Sequence, residues 1–123
     1  MKNNSVLLHS SQGPISKRDL THVLNTVGIE PNDTLMVHSR LFLLGQLNKT
    51  IDKENFVTPF IETLMEAVGP GGTVIYPTFT TKNFFANGYF SVRETKSETG
   101  ILSEEVRKRC DSLRTPHPVY SVA

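Results

Sequence analysis

Two short apolar runs, separated by a crossover long enough to hold a helix, constrain this chain most. Leu35-Met36-Val37 follows the turn residues Pro31-Asn32-Asp33, and Thr73-Val74-Ile75-Tyr76 is stopped by Pro77. Neither run alternates apolar with polar, which is the pattern of a strand covered on both faces. Between them, Phe56, Val57, Phe60, Ile61, Leu64, Met65 and Val68 form a helical stripe that Asp52 can cap. Pro59 conflicts with that helix: it kinks it, or Thr58 is the true N-cap and Pro59 the first helical residue. Gly69-Pro70-Gly71-Gly72 lies after the helix and before a strand, so it reads as a helix stop; a phosphate loop has the opposite order. Residues 34–77 therefore predict a strand from about Thr34 to His38, a helix, and a second strand paired in parallel.

The flanks are read from caps and breakers. Residues 1–15 are mostly polar, with a small Val6-Leu7-Leu8 cluster, and are expected to be loosely held. Ser16 with Asp19 is a short capping box ahead of Leu20, Val23, Leu24 and Val27, and Gly28 suits the end of that helix. Residues 78–99 look irregular and hold Phe79, Phe84, Phe85, Tyr89 and Phe90, the composition of a functional loop or of a missed element. Ile101 to Arg109 predicts a helix with acids early and bases late, as the helix dipole prefers. Thr115-Pro116-His117-Pro118 must be extended, and Val119 to Ala123 looks like the start of a strand, which would leave backbone groups unpaired at its end.

Composition sets the class. At 123 residues the chain is one domain or part of one. Thirteen Lys and Arg against twelve Asp and Glu give +1, so there is no overall footprint of a nucleic-acid binder. One cysteine rules out an internal disulfide framework. The apolar runs are too short to span a membrane or to form a signal peptide, so no membrane partner and a cytoplasmic location are expected.

Several segments could carry chemistry, each with an ordinary alternative. His38-Ser39 ends the first strand, where ligands bind in open α/β sheets. Either the Ser39 hydroxyl meets a ligand, or His38 is a satisfied core residue and Ser39 a cap. Thr78 and Thr80 end the second strand and either meet the same ligand or are turn threonines. Ser97-Glu98-Thr99-Gly100 either offers free N–H groups to an anion or simply caps a helix. Arg114 either pairs with a phosphate or is a solvated loop arginine. The histidines and Cys110 lack metal-ligand spacing, so no metal is expected. Cys110 reads as an inert thiol.

In order along the chain, four stretches resemble the aminoglycoside 3-N-acetyltransferase family. They are Asn32 to Ser39, Met65 to Val74, Tyr76-Pro77-Thr78-Phe79-Thr80, and Arg114 to Ala123. Arg40 stands where the family often has a second serine, and Thr115 where it usually has one. The resemblance implies an α/β fold with a three-layer-like core of short parallel strands and flanking helices, incomplete in this chain, over residues 16–123. It implies acetyl-coenzyme A as co-substrate and an amine of an aminoglycoside or amino sugar as acceptor. Ser39, Thr78, Thr80, Arg114, His117 and Ser121 fall at matched positions and are carried over as cofactor-binding candidates. The family's catalytic histidine stands in an Asn-Thr-x-Leu-His segment that does not occur here, so the catalytic residue is left unassigned. Family chains run to about twice this length. The expectation is therefore an N-terminal half, with self-association or a missing C-terminal half as its counterpart. A surface-polysaccharide or sugar-nucleotide acetyltransferase, and a non-catalytic coenzyme A-binding domain or inactive remnant, are the alternatives.

Overall fold

The structure, a computed structural model, describes residues 5–47 and 52–123. The chain forms two compact units, one of residues 1–35 and 40–74 and one of residues 36–39 and 75–123. Met1 to Asn4 of the expected loose segment lie outside the described residues.

In the first unit, strands β1 (Val6–Ser10) and β2 (Gly13–Ser16) make an antiparallel hairpin. A short strand β4 (Gln46–Leu47) pairs antiparallel with the other edge of β1. Residues 6–15 of the segment expected to be loosely held thus lie in a paired hairpin. Leu7 and Leu8 are fully buried, and two buried leucines are worth roughly 1.5–3 kcal/mol each, enough to fix a short hairpin that has a third strand beside it.

Helix α1 (Lys17–Thr26) starts at the expected capping box. Asp19 N–H donates to Ser16 Oγ, and Ser16 N–H donates back to the Asp19 carboxylate. Helix α2 (Lys53–Val68) is capped by Asp52 and continues through Pro59. Thr58 is thus inside the helix and not its cap. Pro59 is buried, and its carbonyl accepts the Thr63 hydroxyl at 2.6 Å. Phe56, Val57, Phe60, Ile61 and Val68 of α2 are buried with Leu7, Leu8 and Leu41, and the Phe56 and Phe60 rings meet edge to face at 5.4 Å. Lys17 joins α1 to α2 through Glu66 at 3.0 Å and Glu62 at 3.5 Å. Beyond α2 the stop is tight: a Cβ on Gly71 would stand 2.1 Å from Asn32 Oδ1.

Strands β3 (Thr34–Met36) and β5 (Thr73–Ile75) form a two-stranded sheet. Thr73 N–H donates to Asp33 O and Val37 N–H donates to Ile75 O. Both registers rise together, so the pair is parallel, as the crossover predicts.

The second unit departs further from expectation. Residues 78–99 are not a continuous loop, because they contain helix α3 (Thr81–Asn87), closed by Gly88 in the left-handed region. Helix α4 (Ile101–Lys108) follows. Residues 119–123 run antiparallel along 76–80: Thr80 N–H donates to Val119 O, Thr78 N–H to Ser121 O and Tyr76 N–H to Ala123 O, while Ala123 N–H donates back to Tyr76 O. The last residue of the expected strand therefore has both backbone groups paired.

Candidate functional site

The interior of the second unit is unusually polar. Thr78, Thr80, Thr95, Ser103, Glu104 and Ser121 are buried with Tyr76, Leu102, Val106 and Val119. Buried polar groups need partners, and here the partners are one another.

Arg114 is the hub. Its Nε donates to Ser121 Oγ at 3.0 Å and to Thr78 Oγ1 at 3.3 Å. One terminal nitrogen donates to the carbonyls of Thr95 and Val92, at 2.5 and 3.3 Å, and the other to Thr78 O at 2.9 Å. The guanidinium also lies 4.9 Å from the Phe90 ring centre. Burial, helped by the neighbouring Arg107 charge and opposed by Glu104, pulls Arg114 below the ordinary arginine range. The Thr78 and Ser121 hydroxyls are 2.9 Å apart, and Thr80 Oγ1 donates to Pro118 O at 2.7 Å.

A second tie sits on α4. Glu104 pairs with Arg107, accepts the Ser97 N–H at 2.7 Å, and Arg107 donates to Arg93 O. Burial pushes the Glu104 carboxyl up, but the Arg107 and Ser97 hydrogen bonds outweigh it and hold it below the ordinary range. Two arginines thus satisfy carbonyls of the segment that follows α3. The Tyr76 hydroxyl, by contrast, is buried with no partner among the described residues, and burial, opposed by Arg109, pushes it up to about 12.

Ser39 and His117 are the candidates left open. Ser39 is half-buried, and its hydroxyl has no hydrogen-bond partner among the described residues. Its carbonyl approaches the start of α4: a Cβ on Gly100, at φ +109°, would stand 3.3 Å away. His117 is exposed, and its Nδ1 accepts the N–H groups of Tyr120 at 2.9 Å and Val119 at 3.2 Å. In the neutral ring the proton is therefore on Nε2, which is left as an outward donor. A chain of rings joins the two candidate segments: His38 to Phe79 at 6.4 Å, Phe79 to Tyr120 at 5.3 Å, and Tyr120 to His117 at 5.7 Å.

All six sequence candidates thus fall in one unit. Thr78, Thr80, Arg114 and Ser121 are spent on internal hydrogen bonds, while the Ser39 hydroxyl and His117 Nε2 make none among the described residues. Sequence reasoning missed Thr115, whose hydroxyl accepts the Val122 N–H at 2.9 Å and whose own N–H donates to Val122 O. It also missed Glu98, whose carboxylate accepts the first N–H groups of α3, from Lys82 and Asn83. Ser97 and Thr99 share a hydroxyl–hydroxyl bond, and Thr99 Oγ1 donates to Pro77 O. Neither residue caps α4, which starts at Gly100 with no side-chain cap, so the expected capping by Ser97 or Thr99 is not what these hydroxyls do. A cleft of about 560 Å³ lined by Lys82, Asn83, Tyr89, Glu94, Lys96 and Glu98 includes none of the six candidates.

This geometry defines an α/β protein with a polar frame under an exposed edge at the strand ends. The chain belongs to the aminoglycoside 3-N-acetyltransferase family, whose model matches residues 36–123, well over half of it. Members of that family are acyltransferases. Solved structures agree in fold. An aminoglycoside acetyltransferase AAC(3)-Xa is 27% identical, with a TM-score of 0.74 over 94% of this chain and 45% of its own. The YokD protein from Bacillus subtilis is 21% identical, with a TM-score of 0.71 over 86% of this chain and 48% of its own. An AAC-IIIb enzyme solved as a binary complex with CoASH is 22% identical, with a TM-score of 0.69 over 88% and 44%. An AAC(3)-IVa enzyme has been solved with apramycin and with gentamicin. The chain spans less than half the length of these structures. No curated protein matches its sequence. Among the described residues no helix is long and apolar enough to cross a membrane.

Proposed function

We propose that this chain supplies the acetyl-coenzyme A edge of an N-acetyltransferase that acts on an amine of an aminoglycoside or amino sugar. One observation carries the reading: the family-matched residues converge on one frame, with Ser39 and His117 left open above it. In the reaction the amine nitrogen forms a bond to the acetyl carbon, the carbon–sulfur bond breaks, and the amine proton must leave. Ser39 and the Nε2–H of His117 are the groups that would touch the ligand. Thr78, Thr80, Ser121 and Arg114 would shape the edge from beneath.

Neither open group is a free base. His117 has its Nδ1 taken by two backbone donors, so it donates to the ligand and does not collect the amine's proton. General-base catalysis, worth roughly 10²–10⁴ in rate, would come from outside residues 1–123. That observation also favours the second reading, a coenzyme A-binding role without turnover by this chain alone.

Calorimetric titration with acetyl-coenzyme A tests the proposal. The folded chain is expected to bind saturably. Ser39→Ala and His117→Ala should each weaken binding by about tenfold, the worth of one good hydrogen bond. Thiol release in the presence of an aminoglycoside should stay at the uncatalysed rate. A folded chain that does not bind, or variants that bind unchanged, contradict the edge. Turnover by residues 1–123 alone contradicts the assignment of the base elsewhere.

A further inference from the structure

We propose that Arg114 is a positioning residue: it fixes the ligand edge through Thr78 and Ser121 and does not touch the ligand's phosphates. The inference rests on the acetyl-coenzyme A reading above, and it reverses the expectation that this guanidinium pairs with a phosphate.

A guanidinium has five N–H donors in a rigid fork. The Nε–H is shared by the Thr78 and Ser121 hydroxyls, one terminal nitrogen serves the carbonyls of Val92 and Thr95, and the other serves Thr78 O. A bidentate phosphate pair uses two parallel free donors on one edge of the fork, and this fork keeps only one N–H, on the second terminal nitrogen, outside these bonds. The Phe90 ring lies over the guanidinium. No carboxylate of the described residues forms an ion pair with Arg114.

The acceptors lie on three segments far apart in sequence: residue 78, residues 92–95 and residue 121. Two of these segments, at residues 78 and 121, lead to the exposed edge. Thr78 precedes Phe79, Ser121 follows Tyr120, and the Phe79 and Tyr120 rings lead to His117. A lysine keeps the charge but has no planar fork to span these acceptors.

The test compares Arg114→Lys with Arg114→Gln in the 123-residue chain. Two quantities are read: amide exchange at Thr78, Thr80 and Thr95, and acetyl-coenzyme A affinity at several salt concentrations. Both variants are expected to lose affinity alike, by about tenfold, with the wild-type salt dependence kept and faster exchange at all three amides. If R114K binds like wild type while R114Q loses affinity and salt dependence together, Arg114 is a phosphate contact and the proposal fails. Ser121→Ala guards against misfolding of the arginine variants. It removes one acceptor and leaves the charge, and it should weaken binding while adding little on top of R114K; full affinity in S121A overturns the proposal. If wild type itself does not bind, the acetyl-coenzyme A reading fails, and exchange still decides the role of Arg114: unchanged rates in R114K overturn it.

Discussion

At the scale of single residues, the second unit is held by charges that face inward and find partners. Glu104 shows the balance. Burial alone would push its carboxyl up, yet Arg107 and the Ser97 N–H hold it below its ordinary 4.5. A carboxyl whose folded value is depressed stabilises the fold above its unfolded value and loses that contribution as pH falls through the folded one. Glu104→Gln should therefore cost about 1.5–3 kcal/mol at neutral pH, the range of a charged hydrogen bond. The gap in thermal stability from wild type should narrow below about pH 4.5. A gap that stays constant down to acid pH contradicts the pairing. Thr78, Thr80, Arg114 and Ser121 of this frame were named by the stretches Tyr76 to Thr80 and Arg114 to Ala123, but their roles were not. The hydroxyl partner of Arg114 at Thr78 is 36 residues away, and nothing local in either segment signals that the side chains point inward. Only Ser39 and His117 keep the exposure that a strand-end position suggests.

At the scale of elements, local signals decided what could be read. Helix α1 carries its cap within its own sequence, and the Ser16 box forms as expected. Ser16→Ala should lower stability by about 1 kcal/mol, measured by denaturant unfolding; an unchanged midpoint would mean that the cap contributes nothing. Helix α3 lacks such a local signal. Its first N–H groups are satisfied by Glu98, from 15 and 16 residues downstream, and Thr80 makes no side-chain cap. Glu98→Ala should speed amide exchange at Lys82 and Asn83 and leave α1 unaffected; protection unchanged at both amides would show that the carboxylate is not their cap. The hairpin at residues 6–16 was missed for a different reason. Leu7 and Leu8 are adjacent and both buried, across a bulge between Val6 and Leu8, so the two-residue alternation of a strand is broken there. Pro59 is the reverse case. A proline inside a helix costs a backbone hydrogen bond, but the apolar stripe of α2 is buried on both sides of it, and packing overrides the local break.

At the scale of the whole molecule, the α/β class and the parallel pair were legible because a strand, a crossover and a strand leave few alternatives. Membership of the aminoglycoside 3-N-acetyltransferase family follows from the match over residues 36–123. The chain spans less than half the length of the structures it resembles in fold. We propose of residues 1–123 only that they hold the acetyl-coenzyme A edge. Titration of the isotope-labelled chain with acetyl-coenzyme A, followed amide by amide in nuclear magnetic resonance spectra, tests it most directly. The account predicts saturable shifts confined to Ser39, Phe79, the start of α4 at Gly100 and Ile101, and His117 to Tyr120. Shifts centred on α1 and the hairpin, or no shifts in a well-folded spectrum, would contradict it.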